Sequence, residues 1–149
     1  MSEKGIPTIP LLIAGKEYSL RFDVQAQIQA AQSLKLIGMG MASKNWWALL
    51  NPPYDVSELV AMIQAGINGA KRFNGEKEFI DLEKAQAMLQ DHFDYQYEQA
   101  GEIEDEREAM TAFDKAQFAF MEEISAIARA GAGFRKKGQR KERIPKAPK

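Results

Sequence analysis

Few residues in this chain have the types and spacing that chemistry needs. His92 is the one histidine, and its neighbours Asp91 and Asp94 would make only a poor metal site, because no second histidine or spaced ligand set accompanies them. The sequence contains no cysteine, which excludes a thiol nucleophile and a cysteine-ligated metal. We therefore interpret His92 as a surface histidine that follows a helix.

Two other patterns fall short of a site. The acidic cluster in 102–106 lacks the glycine and the alternating ligands of a calcium loop, and its charges suit the start of a helix. Gly38-Met39-Gly40 lacks the third glycine and the strand context of a dinucleotide-binding loop. The sequence has no Walker, nucleophile-elbow or HExxH motif. We predict a protein that is not an enzyme and has no cofactor, and a site assembled from distant residues is the alternative left open.

The charge of the chain is divided unevenly. The net charge is −1, but residues 135–149 hold eight Lys or Arg against Glu142, which leaves 12 basic and 20 acidic residues in 1–134. Such a basic tail can bind nucleic acid by releasing counterions, bind an acidic protein surface, or act as a solvated end. Phe134 is its single aromatic residue, so the interleaved stacking residues typical of single-strand binders are missing.

Aromatic residues offer the other candidates for contact with macromolecules. In a helix Trp46 and Trp47 would point about 100° apart, so both rings are hard to bury in one small core. Either both belong to the core, or one is in the core and the other forms an interface, where tryptophan is enriched. Phe113 and Phe120, seven residues apart, belong to an apolar stripe on a long helix. That stripe is typical of a core-facing helix and would also suit a groove or an oligomer contact.

The elements that position these residues begin with a hairpin. The apolar run Leu11–Ile13, a turn at Ala14-Gly15-Lys16 and alternating residues over 18–22 predict two antiparallel strands. Asp23 stands where the N-cap of a helix belongs, and no Pro or Gly follows it before Gly38. The sequence therefore predicts a hairpin that runs directly into a helix.

The alternation in the second strand predicts one buried face and one wet face. Leu20 and Phe22 belong to the buried face, and Arg21 belongs to the wet face. A two-stranded hairpin alone is marginally stable in water, so we expect its apolar face to pack on helices.

Further helix signals follow along the chain. Asp55 and Glu58 have capping-box spacing and open a helix that we expect to stop near Gly66 to Gly69. Asp81 caps a third helix. Aromatic and polar residues alternate over 92–98, where a helix continuation and a short strand both stay open.

The last predicted helix is the longest, from about Glu104 to Ala130, with Gly131 in the position of a C-terminal cap. We predict a mainly helical α+β domain over 9–131, in which the N-terminal hairpin packs on about four α-helices. A flexible N-terminus, 1–8, would precede it, and a disordered basic C-terminal tail, 132–149, would follow. No apolar run approaches the ~18 residues of a membrane span, so we expect no membrane contact.

One family resembles this arrangement. The sequence Ile13-Ala14-Gly15-Lys16-Glu17-Tyr18-Ser19-Leu20-Arg21-Phe22-Asp23, followed by a helix and then by the apolar segment Leu59–Ile67, resembles the tail assembly chaperones of long-tailed bacteriophages and related prophages. Phe79–Ala85 is similar to the start of the next helix in that family. The resemblance covers about residues 11–93.

The resemblance implies a non-enzymatic assembly factor in the host cell cytoplasm that is absent from the mature virion. Such proteins coat the tape measure protein, keep it soluble and help the tail tube protein polymerise around it. We expect Trp46, Trp47, Phe113 and Phe120 to contact the partner, and a homo-oligomer stays open. The alternative is a small nucleic-acid-binding regulator that acts through its basic tail.

Overall fold

The computed structural model of the chain describes residues 5–37 and 46–133. Within these ranges lie the strands β1 (Ile9–Ile13) and β2 (Lys16–Leu20), the helices α1 (Val24–Ile37), α2 (Val56–Phe73), α3 (Leu82–Gly101) and α4 (Glu106–Gly131), and a 3₁₀ helix (Trp46–Leu50). The predicted mainly helical α+β fold with an N-terminal hairpin is confirmed. The predictions for 1–4, for Gly38-Met39-Gly40 and for the basic tail from 134 onward lie outside the described residues.

β1 and β2 form an antiparallel hairpin in which Leu11 is opposite Tyr18. The turn consists of Ala14 and Gly15, whose φ angles of 54° and 81° are both in the left-handed region. Two such residues make the turn that matches the natural twist of a hairpin. Leu20 and Phe22 are fully buried, which confirms the apolar face that the alternation predicted, and Leu11 and Ile13 of β1 are buried as well.

The predicted wet face is wrong at Arg21, whose side chain is 2% exposed. Its guanidinium lies 4.2 Å from the centre of the Phe73 ring and pairs with Asp23 at 3.1 Å. The Arg21 side chain also donates to the carbonyl oxygen of Ile6 at 3.4 Å. Arg21 follows the end of β2, and neighbouring parts of the chain cover it on the side that a free hairpin would expose to water.

α2 is the central helix. Its capping box is present as predicted, because Asp55 Oδ1 accepts from the amide of Glu58 at 2.8 Å and Glu58 Oε1 accepts from the amide of Asp55 at 3.0 Å. Every residue of α2 from Glu58 to Ala70 is buried. α2 therefore forms the middle of the core, with the other elements packed around it.

The prediction that this helix stops near Gly66 to Gly69 is wrong, since α2 continues to Phe73. These glycines are contact points. Gly66 faces the side chains of Leu20 and Phe22, and a methyl group on Gly69 would overlap the carbonyl oxygen of Arg21. Small residues inside a helix let another backbone approach it closely. In the sequence, the same glycines look like the end of a helix, so the predicted end comes too early.

The remaining helix boundaries follow their caps. Asp23, Asp81 and Asp105 each accept a hydrogen bond from a backbone amide three residues later. Residues 92–98 continue α3 as a helix, so the strand alternative is wrong. Gly131 is the last residue of α4, one position before the cap. Across the described ranges, no helix combines the length and apolar composition needed to cross a membrane.

We expect Gly69→Ala to destabilise the protein by about 3 kcal/mol or more, because the new methyl group must push the Arg21 backbone away from α2. Urea denaturation followed by circular dichroism measures this change. Gly101→Ala is the matched control, since nothing lies near a methyl group at that position. Equal stability of the two variants would contradict the close contact.

Candidate functional site

Trp46 and Trp47 lie in the 3₁₀ helix and have opposite environments. Trp46 is 7% exposed and packs against Phe22, with 5.1 Å between the ring centres. Trp47 is 60% exposed. The interpretation that places both rings in the core is therefore wrong for Trp47, and the interpretation with one core ring and one accessible ring agrees with the structure.

The 3₁₀ helix is fixed against the C-terminal half of α4. Ser125 Oγ donates to the carbonyl oxygen of Leu50 at 2.6 Å, and Arg129 Nε donates to the same oxygen at 3.1 Å. Tyr54 Oη donates to the neighbouring carbonyl of Leu49 at 2.7 Å. Trp47 is thus an exposed aromatic ring on a firmly held segment.

α4 carries two further large apolar side chains in contact with solvent. Phe118 is 50% exposed and Met110 is 64% exposed. Phe118 lies seven residues before Ser125, so helical periodicity places it on the side of α4 that binds the 3₁₀ helix, and Met110 lies eight residues before Phe118. We call Trp47, Met110 and Phe118 the exposed apolar set.

The other two predicted contact residues lie on the inner side of α4. Phe120 is 4% exposed and stacks on His92, with 4.0 Å between ring centres. Phe113 is half-buried and stacks on Tyr97 at 4.3 Å. Of the four predicted residues, the structure places Trp46 and Phe120 in the core. Phe113 is half-buried between α3 and α4, and Trp47 is exposed.

The interpretation of His92 as a surface residue is wrong, since its side chain is 6% exposed. The backbone amide of Ala14 donates to His92 Nδ1 at 2.8 Å, so the neutral ring carries its proton on Nε2. Helical spacing from Ala85 and Leu89 places His92 on the buried side of α3. This spacing predicts burial only if the helix continues through residue 92, and the sequence left that point open.

Two glutamines lie close to this histidine in the contact between α3 and α4. Gln96 follows His92 by one turn, and Gln117 precedes Phe120 by one turn, so both lie between the ring pair His92 and Phe120 and the ring pair formed by Tyr97 and Phe113. Within the described part of the chain, His92 Nε2, Gln96 Oε1 and Gln117 Oε1 are buried without a hydrogen-bond partner. We call these three atoms the polar seam. Neither glutamine stood out in the sequence, because an amide carries no charge or metal-binding signature.

The carboxylates beside His92 do not join it. Asp91 and Asp94 are exposed on α3, and Asp94 accepts from Gln90 at 3.0 Å. In residues 5–37 and 46–133, no group of three or more His, Asp or Glu is arranged to hold a metal ion. The chemistry available at this position is that of a neutral imidazole buried where α3 meets α4.

Comparison of the chain with protein-family models, with curated proteins and with solved structures gives no significant match.

Burial lowers the pKa of His92 below its ordinary value of 6.5. As the pH falls below about 6.5, the unfolded chain gains a proton that the folded chain resists, so the stabilisation present at neutral pH is progressively lost toward the lowered folded pKa. We expect wild type to lose more unfolding free energy than His92→Gln between pH 7.5 and 5.5. Urea denaturation at both pH values measures this. The two proteins contain the same carboxylates, so the contribution of those groups to the pH dependence is the same in both. Parallel losses in the two proteins would contradict the burial of a neutral His92.

Proposed function

We propose that this chain is a tail assembly chaperone of a long-tailed bacteriophage or prophage. It acts in the host cell cytoplasm, binds the tape measure protein, keeps that protein soluble and promotes assembly of the tail tube protein around it. It leaves before the virion is mature. The observation that carries this proposal is the resemblance of Ile13–Asp23 and Leu59–Ile67 to that family.

The resembling segments contribute most of the internal framework. Leu20 and Phe22 are fully buried, and Leu59–Ile67 lies within the buried part of α2. The resembling segments therefore build the core, and contact with a partner depends on other residues. A chaperone of this kind needs no catalytic pocket, because its task is to cover apolar surface on another chain.

The exposed apolar set supplies such a surface. Trp47 offers a large ring on a fixed segment, and tryptophan is common among residues that dominate binding energy. Met110 offers a flexible thioether chain that adapts to different neighbours. An apolar helix lying against these side chains would bury them, and repeated copies along a long helical partner would multiply a modest affinity through effective concentration.

The excess of acidic residues outside the basic tail suits this arrangement. Residues 1–134 hold 20 acidic against 12 basic residues. Copies that coat one partner present like charges to the solvent and to each other, which opposes aggregation of the coated complex. α4 contributes Glu106 and Glu108 in its first turn, near the exposed Met110.

We expect the chain to co-purify with the tape measure protein encoded beside it and to increase the soluble fraction of that protein. Trp47→Ala combined with Phe118→Ala should weaken the complex about tenfold or more while the chain stays folded, because both side chains are exposed. Pull-down and binding titration measure this loss.

The matched control combines Val24→Ala with Ile28→Ala, two apolar residues of α1 that are 65% and 52% exposed. This variant should bind as wild type does. Absence of both co-purification and increased solubility with wild type would refute the proposed function. Equal weakening by the two double variants would show that the exposed apolar set is not the contact.

A second candidate function is a small nucleic-acid-binding regulator, favoured by the eight basic residues against one acidic residue in 135–149. If it is correct, the full chain retards DNA or RNA in a mobility-shift assay. The retardation weakens steeply as salt is raised, because phosphate contacts release counterions. A chain that ends at Gly133 should show no retardation. A full chain that retards neither nucleic acid at low salt rules out this candidate.

A further inference from the structure

The polar seam holds three of the five buried side-chain atoms that have no hydrogen-bond partner within the described residues. The other two, Trp46 Nε1 and Arg72 Nε, belong to the 3₁₀ helix and to α2. Further buried polar groups of the fold are paired. Ser33 Oγ donates to Gln64 Oε1 at 2.7 Å, and Asn68 both donates to and accepts from the backbone of Ile80, at 3.0 and 2.9 Å. These pairs follow the general rule that buried polar atoms are hydrogen-bonded. His92 and Gln96, which are 6% and 7% exposed, do not follow it at Nε2 and Oε1.

The three seam atoms have a definite hydrogen-bonding pattern. His92 Nε2 is a donor, because Nδ1 already accepts from the amide of Ala14. Gln96 Oε1 and Gln117 Oε1 are acceptors. One unmet donor and two unmet acceptors are therefore buried in one contact, between two stacked pairs of rings.

We propose that a helix of the partner docks at the polar seam, between the distal halves of α3 and α4, and brings an Asn or Gln side chain to it. A carboxamide has one carbonyl oxygen, which accepts from His92 Nε2, and two N–H groups, which donate to Gln96 Oε1 and Gln117 Oε1. Apolar side chains of the same helix cover Phe113. This inference rests on the proposed function, since the partner is the tape measure protein.

Docking requires α3 and α4 to separate at the seam, because the seam atoms are buried in the free chain. The stacked pair of Tyr97 and Phe113 closes the distal end, and Tyr97 is 61% exposed, so little protein covers this end. At the other end, the stacking of His92 on Phe120 joins α3 to α4, and the hydrogen bond from the amide of Ala14 fixes His92 to the hairpin. The opening is therefore confined to the part of α3 and α4 beyond His92, and it frees polar atoms that are unsatisfied when the contact is closed.

The test uses Gln96→Leu combined with Gln117→Leu in the full chain. Replacing two unpartnered oxygens with apolar groups of similar size should raise the urea midpoint of the free chain. The same change should weaken binding of the tape measure protein about tenfold or more, because the carboxamide loses both acceptors. Gln99→Leu is the matched control, an exposed glutamine on α3 whose replacement should change neither quantity.

The partner provides a reciprocal test. Asn and Gln residues of the bound tape measure segment are replaced one at a time by Leu. One of these changes should weaken binding to wild type clearly more than binding to the double variant, in which only the hydrogen bond from His92 Nε2 is left to lose. If every such change affects wild type and the double variant equally, the carboxamide contact does not exist.

The outcomes separate this inference from the function on which it rests. A raised urea midpoint together with weakened binding supports docking at the seam. A complex of wild-type affinity with the double variant overturns the docking and leaves the chaperone function intact. A lowered urea midpoint also overturns it, because the oxygens must then be paired in the free chain. No complex with wild type overturns the proposed function and the docking together.

Discussion

The structure depends on the close approach of the backbone at residues 20–22 to the glycines of α2. The amide of Arg21 donates to the carbonyl oxygen of Gly66 at 2.9 Å, and Gly69 leaves room for the carbonyl oxygen of Arg21. The next carbonyl, that of Phe22, lies against Gly131 at the end of α4. Two consecutive residues, Arg21 and Phe22, thus join the hairpin to the central helix and to the last helix, and a larger side chain at Gly69 or Gly131 would separate them.

The same segment also sets the start of α1 through Asp23. Its carboxylate caps the helix by accepting from the amide of Ala26 at 2.8 Å, and it pairs with Arg21 and Arg72 at 3.1 Å each. A partly buried carboxylate is stable when cations and amide donors surround it. Because Arg72 belongs to the last turn of α2, one carboxylate connects the end of the hairpin, the start of α1 and the end of α2.

Local signals predicted the parts of the fold whose causes are local. Asp55, Asp81 and the hairpin turn act on residues two to four positions away, so the sequence contained both members of each interaction. The burial of Arg21 and His92 has distant causes, which are Phe73 and the amide of Ala14. At the candidate site, the different directions of adjacent side chains predicted that one of Trp46 and Trp47 could be exposed. They did not predict which one, because that depends on how the segment packs against Phe22 and α4. The polar seam was not predictable, because it exists only where α3 and α4 meet.

The distribution of hydrogen bonds divides the domain into a fixed part and a part able to change. Near α2, the buried side chains of Asn68 and Gln64 are paired, and a methyl group on Gly69 would overlap the Arg21 carbonyl oxygen. Arg72 Nε is the one buried α2 side-chain atom that has no partner within the described residues. Beyond His92, the two helices that leave this core meet through ring stacking and through polar atoms with no partner in the described ranges. Local opening takes place where few interactions must be broken, so this distal part opens at a lower free energy than the α2 core. The proposed chaperone function needs both properties. The α2 core keeps its shape, and the contact between the distal parts of α3 and α4 can be replaced by contacts with the partner.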